Sequence, residues 1–213
     1  MKQLSILIPA RNEEFLSRTI DDLFEHIEGK TEVLVGLDGW HTEIQKRPNL
    51  RIFETNESKG QRATQNALAK QSGAKYLLKL DAHVSMSQGF DRIMIEIMEA
   101  NPNIVLVPAL GNLHVYNWIC KSGHRTYQGK VDKCGQCEEI DLKKELVWKI
   151  SSKLYSDFYF DKDLIFQFGD VDNYEMFHEV QAIQGSGFMV SKENYFKYNL
   201  CDESWGSWGQ QGY

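Results

Sequence analysis

Short apolar runs alternate with amphipathic stretches through the first half of the chain. Residues 4–9 are rich in Leu and Ile and read as a buried strand. The polar turn of residues 10–14 leads into Phe15, Leu16, Ile20, Leu23, Phe24 and Ile27, which recur at helical spacing until Gly29 ends the pattern. Residues 33–37 form a second apolar run, stopped by the turn signal Asp38-Gly39, and residues 50–53 a short third. A helix is predicted over 59–72, with Gly60 near its start and Gly73 just past its end. The run 76–80 is a fourth strand, a helix over 88–100 carries Phe90, Ile93, Met94, Ile97 and Met98, and residues 104–107 are a fifth strand stopped by Pro108.

Strands alternating with helices of these lengths make consecutive βαβ units, so the fold class is α/β, a single mainly parallel sheet with helices on both faces. Parallel strands end at one edge. Three polar strand ends (Ala10-Arg11, Asp38-Gly39, and Asp81 with His83) should therefore converge on one crevice. After Pro108 the pattern breaks. Residues 110–170 are rich in aromatic and charged residues with weak periodicity, and a helix is predicted over 115–126. Residues 180–190 read as a strand, 191–198 as a short helix, and 202–213 as a Gly/Trp loop.

Composition narrows the function classes. With 24 Lys and Arg against 30 Asp and Glu the net charge is −6, and no basic stripe suited to nucleic acid occurs. No apolar run approaches the ~20 residues that span a bilayer. The first apolar run is too short for a signal peptide, and the expected setting is cytoplasmic.

Two constellations carry chemistry. Side chains alternate along a strand, so Asp81 and His83 should project to one side just beyond a buried strand, a pair suited to a divalent cation. The plainer reading is an Asp that caps the next element beside a surface His. The second constellation is Cys120-x3-His124-x9-Cys134-x2-Cys137, the spacing of a zinc knuckle, within a possible insertion over 118–140. Its alternatives are redox-active or merely buried thiols.

Residues 5–13, the strand end at Asp38-Gly39, Gly60 and Asn66 on a helix, and Leu80 through His83 together resemble the nucleotide-binding half of a family-two-type glycosyltransferase of the GT-A fold. The Asp-x-His form is similar to that of the polypeptide N-acetylgalactosaminyltransferases. Residues 184–189 and 202–209 resemble that group's acceptor-side strand and Trp-Gly loop. The resemblance implies a nucleotide-sugar-binding half over 1–110 and an irregular acceptor-side half of the same domain over 111–213. It further implies a metal-dependent transferase moving a hexosyl or N-acetylhexosaminyl group from a UDP-linked donor to a glycan, peptide or small-molecule acceptor. Mn²⁺ is favoured over Mg²⁺ because imidazole is a softer ligand than carboxylate.

Residue by residue, the resemblance implies that Pro9, Ala10 and Arg11 line the base, with Glu13 in the adjoining Asn-Glu pair or serving only as a first-turn acid. Asp38 is implied to contact the nucleoside, a turn-forming Asp-Gly being the alternative. The resemblance further implies that Gly60 and Asn66, with Arg62 or Lys59 as the basic residue, border the diphosphate, and that Asp81, Ala82 and His83 carry the metal site. Trp205, Trp208 and Gly209 belong to the acceptor side. A third metal ligand, a histidine beyond the Trp-Gly loop, is also implied; none occurs before Tyr213, so either the chain is truncated or the site is incomplete. Inverting relatives carry a basic acid where this chain has Gln211, and an amide cannot take a proton. Asp202 and Glu203 are the nearest acids, and a retaining course is slightly favoured. The other readings are a non-catalytic nucleotide- or sugar-binding module and a nucleotidyltransferase-type enzyme acting through Asp81.

Overall fold

The computed structural model describes residues 2–127, 131–169 and 178–205. In chain order the elements are β1 (Leu4–Ala10), α1 (Leu16–His26), β2 (Thr31–Asp38), β3 (Leu50–Thr55), α2 (Gln61–Gln71), β4 (Tyr76–Leu80), α3 (Phe90–Ala100), β5 (Leu110–Ile119), β6 (Arg125–Tyr127), β7 (Lys143–Tyr155), β8 (Asp157–Phe160), β9 (Phe166–Gly169), β10 (Gly187–Ser191) and α4 (Lys192–Lys197). They fall into two compact units. The first comprises Met1–Pro108, Phe158–Gln167 and Tyr174–Tyr213, and the second Ala109–Asp157 with Phe168–Asn173.

The first unit is built on a five-stranded sheet in the order β10-β4-β1-β2-β3. All pairings are parallel except that of β10, which runs antiparallel along β4 with Gly187 opposite Leu80. Every residue of β1, β2 and β4 is buried, as expected of strands covered on both faces. Alternation sorts their side chains between two cores. Leu4, Ile6 and Ile8 pack with Leu16, Ile20 and Leu23 of α1 and with Phe90, Met94 and Met98 of α3. Leu7, Leu34 and Leu77 pack on the opposite face with Leu68 and Ala69 of α2 and Tyr195 of α4.

Lys79 belongs to this second face of β4 and is 1% exposed. Its ammonium donates to the carboxylate of Asp81, two residues on, and to the carbonyl of Gly185, tying β4 to the chain entering β10. Such a charge stays buried only with partners of this kind. Asp91 plays a comparable part in α3, accepting from the N–H groups of Glu28 and Gly29 at 3.1 and 2.9 Å and from the Thr31 hydroxyl at 2.6 Å.

Asp38, at the end of β2, fixes the loop that opens α2. Its carboxylate accepts from the Lys59 N–H at 2.6 Å, the Ser58 hydroxyl at 2.7 Å and the Gly60 N–H at 3.0 Å. Burial alone would raise its pKa; the Lys59 N–H, the Ser58 hydroxyl and the Gly60 N–H outweigh that and hold the carboxyl below its ordinary value. Gly39 follows at φ +61°, and a Cβ there would lie 2.4 Å from the Ser58 nitrogen, so only glycine lets the two loops close on each other.

In the second unit β5 pairs antiparallel with both β6 and β7. The helix predicted over 115–126 is therefore a strand, a turn and a second strand. Val115, Tyr116, Trp118 and Ile119 favour a pleated surface, and pairing with β7, distant in sequence, decides the matter. The predicted fifth strand over 104–107 is reduced to one antiparallel bridge between Leu106 and Met189, in a segment bounded by Pro102 and Pro108. The strand predicted over 180–190 is regular only over β10.

Asp38→Asn is expected to lower stability by about 2 kcal/mol at neutral pH, because an amide presents a donor to a site that supplies only donors. Asp38 has a lowered pKa in the folded state, so the unfolded chain binds the extra proton first. Its contribution is full above the ordinary carboxylate range and is lost as pH falls below that range through the lowered folded value. Urea titrations of wild type and variant should accordingly converge on acidification. Lys79→Met is expected to cost roughly 2–3 kcal/mol by the same method, since it leaves Asp81 without its buried partner.

Candidate functional site

The carboxyl ends of β4, β1 and β2 are neighbours in the sheet, and side chains link them in sequence. From the end of β4, His83 Nδ1 meets Glu13 Oε2 at 2.9 Å, in the loop after β1. From that same loop Arg11 donates to the Ser58 hydroxyl at 2.8 Å, and Ser58 donates in turn to Asp38 at the end of β2. The three polar strand ends thus form one hydrogen-bonded edge.

Asp81 and His83 both lie at this edge, each held by a different partner. β4 stops at Leu80, so strict alternation does not continue to His83. Asp81 is held by Lys79 through Oδ1, and its backbone N–H donates to the Ser186 carbonyl at 2.9 Å. His83 is bound to Glu13, and that hydrogen bond, with the negative charges of Glu13 and Asp81, raises the imidazole pKa above its usual value against the opposing effects of burial and Lys79. For Glu13, burial raises the pKa, but the bond to His83 prevails and holds the carboxyl low. Because Glu13 engages Nδ1, Nε2 is the nitrogen left for a metal ion, and a carboxylate partner of this kind fixes the ring of a ligating His. Among the described residues Asp81 and His83 belong to no group of three or more His, Cys, Asp or Glu donors close enough together to share one ion.

The remaining predicted positions divide into those at the edge and those that hold the frame. Pro9 and Ala10 end β1 and are buried, whereas Arg11 is exposed. Ala82 is buried, and its carbonyl accepts from Thr19 of α1 at 3.0 Å. The Gly60 N–H is taken by Asp38, with φ +90° at the start of α2. Arg62 is buried in the first turn of α2, where its charge lowers the Asp202 pKa after the backbone and hydroxyl hydrogen bonds of Ser204. Asn66 donates to the Cys201 carbonyl at 2.9 Å and to Glu203 at 2.8 Å, and accepts from the Tyr195 hydroxyl at 2.7 Å. It clamps α2 to the segment after α4, and Glu203, exposed in a single 3₁₀ turn that ends at Trp205, is part of that clamp. Trp208, Gly209 and Gln211 lie outside the described residues.

Three residues at the edge were not singled out from the sequence. Lys79 is one; a lysine inside an otherwise apolar strand, two residues before Asp81, was the available signal. Ser58 is another, and nothing local marks it. The third is Trp40, which with Asn12, Glu13, Glu14 and Thr42 lines a cleft of about 330 Å³ between the loops after β1 and β2. An aromatic face beside polar groups suits a planar heterocycle.

The family described as Glycosyl transferase family 2 matches residues 5–133. A search of curated protein sequences returns no match. Among solved structures, one of GalNAc-T7 with UDP, GalNAc and Mn²⁺ aligns with a TM-score of 0.66 and 15% identity, covering 99% of this chain and 39% of that one. TarS of S. aureus aligns at a TM-score of 0.41 and 17% identity, over 49% of this chain and 21% of that chain. Its 1–349 fragment aligns at 0.42 and 17%, over 49% and 34%. The alignment with GalNAc-T7 agrees with the α/β architecture, a mainly parallel sheet of the GT-A type, and the chain spans about two fifths of that protein. With the family matched over more than half of its 213 residues, including all three linked strand ends, this chain belongs to glycosyl transferase family 2.

Proposed function

We propose that the edge formed by β4, β1 and β2 binds the nucleoside diphosphate of a UDP-sugar together with Mn²⁺ or Mg²⁺, and that the chain belongs to an enzyme transferring the sugar to a hydroxyl-bearing acceptor. The observation that carries this reading is the linkage of His83, Glu13, Arg11, Ser58 and Asp38 across three strand ends. The presence of UDP and Mn²⁺ in the GalNAc-T7 structure supports the choice of nucleotide and metal.

Asp81 and His83 fit such an ion by their donors, a carboxylate oxygen and an imidazole nitrogen. An ion of this type takes few protein ligands and completes its shell from phosphates and water. When bound, it neutralises the charge that develops on the departing diphosphate. The other residues prepare the site. Glu13 orients the His83 ring, and Lys79 holds Asp81. Asp38 acts by ordering the loop at 58–60, which in turn seats Arg11; the exposed Arg11 guanidinium keeps donors for a phosphate. Trp40 offers the base a stacking face. Direct contact of Asp38 with the nucleoside is the weaker alternative, since its oxygens already accept three hydrogen bonds.

For the sugar transfer we favour retention. An amide stands at Gln211, and the nearest described acid, Glu203, is engaged by Asn66. An N-acetylhexosaminyl or hexosyl donor and a glycan, peptide or small-molecule acceptor fit the family equally. One observation favours a second reading, nucleotide binding without turnover: among the described residues no group of three or more His, Cys, Asp or Glu donors forms at this edge.

Calorimetry of UDP with and without Mn²⁺ should show at least a tenfold gain in affinity from the metal, about 1.4 kcal/mol, abolished by Asp81→Ala. Equal affinity in all four conditions would refute the assignment. A panel of UDP-sugars should give slow hydrolysis of one donor with the anomeric configuration retained by NMR. UDP binding with no hydrolysis of any donor would establish the binding-module reading instead.

A further inference from the structure

The second unit carries a constellation that the nucleotide site does not use. Cys120 follows β5 and His124 precedes β6, across a turn closed by bonds from the Gly123 N–H to the Cys120 carbonyl at 2.9 Å and from the Cys120 N–H to the His124 carbonyl at 3.2 Å. Gly123 sits there at φ +80°. Cys134 and Cys137 lie on a second tight turn, in which the Glu138 N–H donates to the Cys134 carbonyl at 2.9 Å and the Gln136 N–H points to the Cys134 sulfur at 3.5 Å. The two turns bring one donor atom from each residue within 4.8 Å of all the others.

Their spacing matches a common central ion. Tetrahedral Zn²⁺ with Zn–S of about 2.3 Å and Zn–N of about 2.05 Å requires S···S edges of about 3.8 Å and S···N edges of about 3.6 Å. The Cys137 and Cys120 sulfurs are 3.6 Å apart, and His124 Nδ1 lies 3.5 Å from Cys120 Sγ and 3.8 Å from Cys134 Sγ. All the thiols are free. Three sulfurs and one imidazole form a soft tetrahedral set, which selects Zn²⁺ over the oxygen-seeking ions expected at Asp81.

Beyond its strand pairing the unit has little buried core among the described residues. Among its described residues only Val115, Cys120 and Cys134 are buried, while Ile140, Leu146, Ile150 and Leu154 stand exposed. Two of its three buried residues are thus members of the cluster. A sheet with so small a core needs a staple of some kind.

We propose that Cys120, His124, Cys134 and Cys137 bind one structural zinc ion that joins the β5–β6 turn to the segment leading into β7. Four protein ligands close the shell, so the ion organises the unit and performs no chemistry. Binding converts thiols to thiolates and releases their protons to solvent.

Metal analysis of the purified full chain should give about one zinc per chain. Replacement by Co²⁺ should give the intense visible bands and sulfur-to-metal charge transfer of a tetrahedral thiolate site. Three thiols should react with a thiol reagent only after chelation, and chelation should lower the unfolding midpoint. Cys137→Ser, at the exposed ligand, should weaken zinc retention by roughly a hundredfold while the Asp81-dependent UDP binding persists. A chain that takes up no zinc on reconstitution, thiols that react freely in zinc-loaded protein, or a stable disulfide between Cys120 and Cys137 would each overturn the assignment.

Discussion

The first unit depends on β1 being paired in parallel on both edges and buried at every residue. A parallel strand cannot return through a tight hairpin, so each neighbour must arrive by way of a crossover, and each crossover starts from the same edge. The loops after β1, β2 and β4 are gathered there whatever their sequences are. What those sequences decide is whether the loops stay there as separate polar tips or lock into a surface. Here they lock, through two carboxylates, a hydroxyl, a guanidinium and an imidazole.

The locking also settles which charges are spoken for. Asp38 is a strong hydrogen-bond acceptor at a strand end, yet it is directed at three donors of the loop that opens α2. Asp81 shares its charge with a buried lysine, and His83 with Glu13. Each acid therefore has a cationic or dipolar partner within the protein. The arrangement keeps the edge ordered before any ligand arrives, at the cost of lower net negative charge than a count of its carboxylates suggests.

Much of this was legible in the sequence because it is local. The bounds of β4 follow from a run of four apolar residues, broken by one lysine and ending at an acid, and the alternation of strand and helix through residue 100 follows from periodicity alone. The convergence of Arg11, Asp38 and His83 followed from topology. The partners did not. Ser58 to Asp38 and Asn66 to Glu203 are contacts between residues far apart in the chain, and no spacing rule anticipates them. The same cause explains β5: its local composition allows a helix or a strand, and a partner more than twenty residues away makes the choice. Tight spacing made the Cys120 to Cys137 cluster visible, since turns that carry their own ligands leave a signature without help from tertiary structure.

The antiparallel strand β10 has a consequence for how this molecule comes to exist. β4 would otherwise be the exposed edge of a flat, apolar sheet, open to pairing with another chain. Its cover, residues 187–191, is synthesised only after the whole second unit. While that unit emerges, the nascent sheet carries an unpaired edge, and the strand that shields it must close one of the longest loops in the fold. The order in which these strands are made thus sets how long that edge stays open.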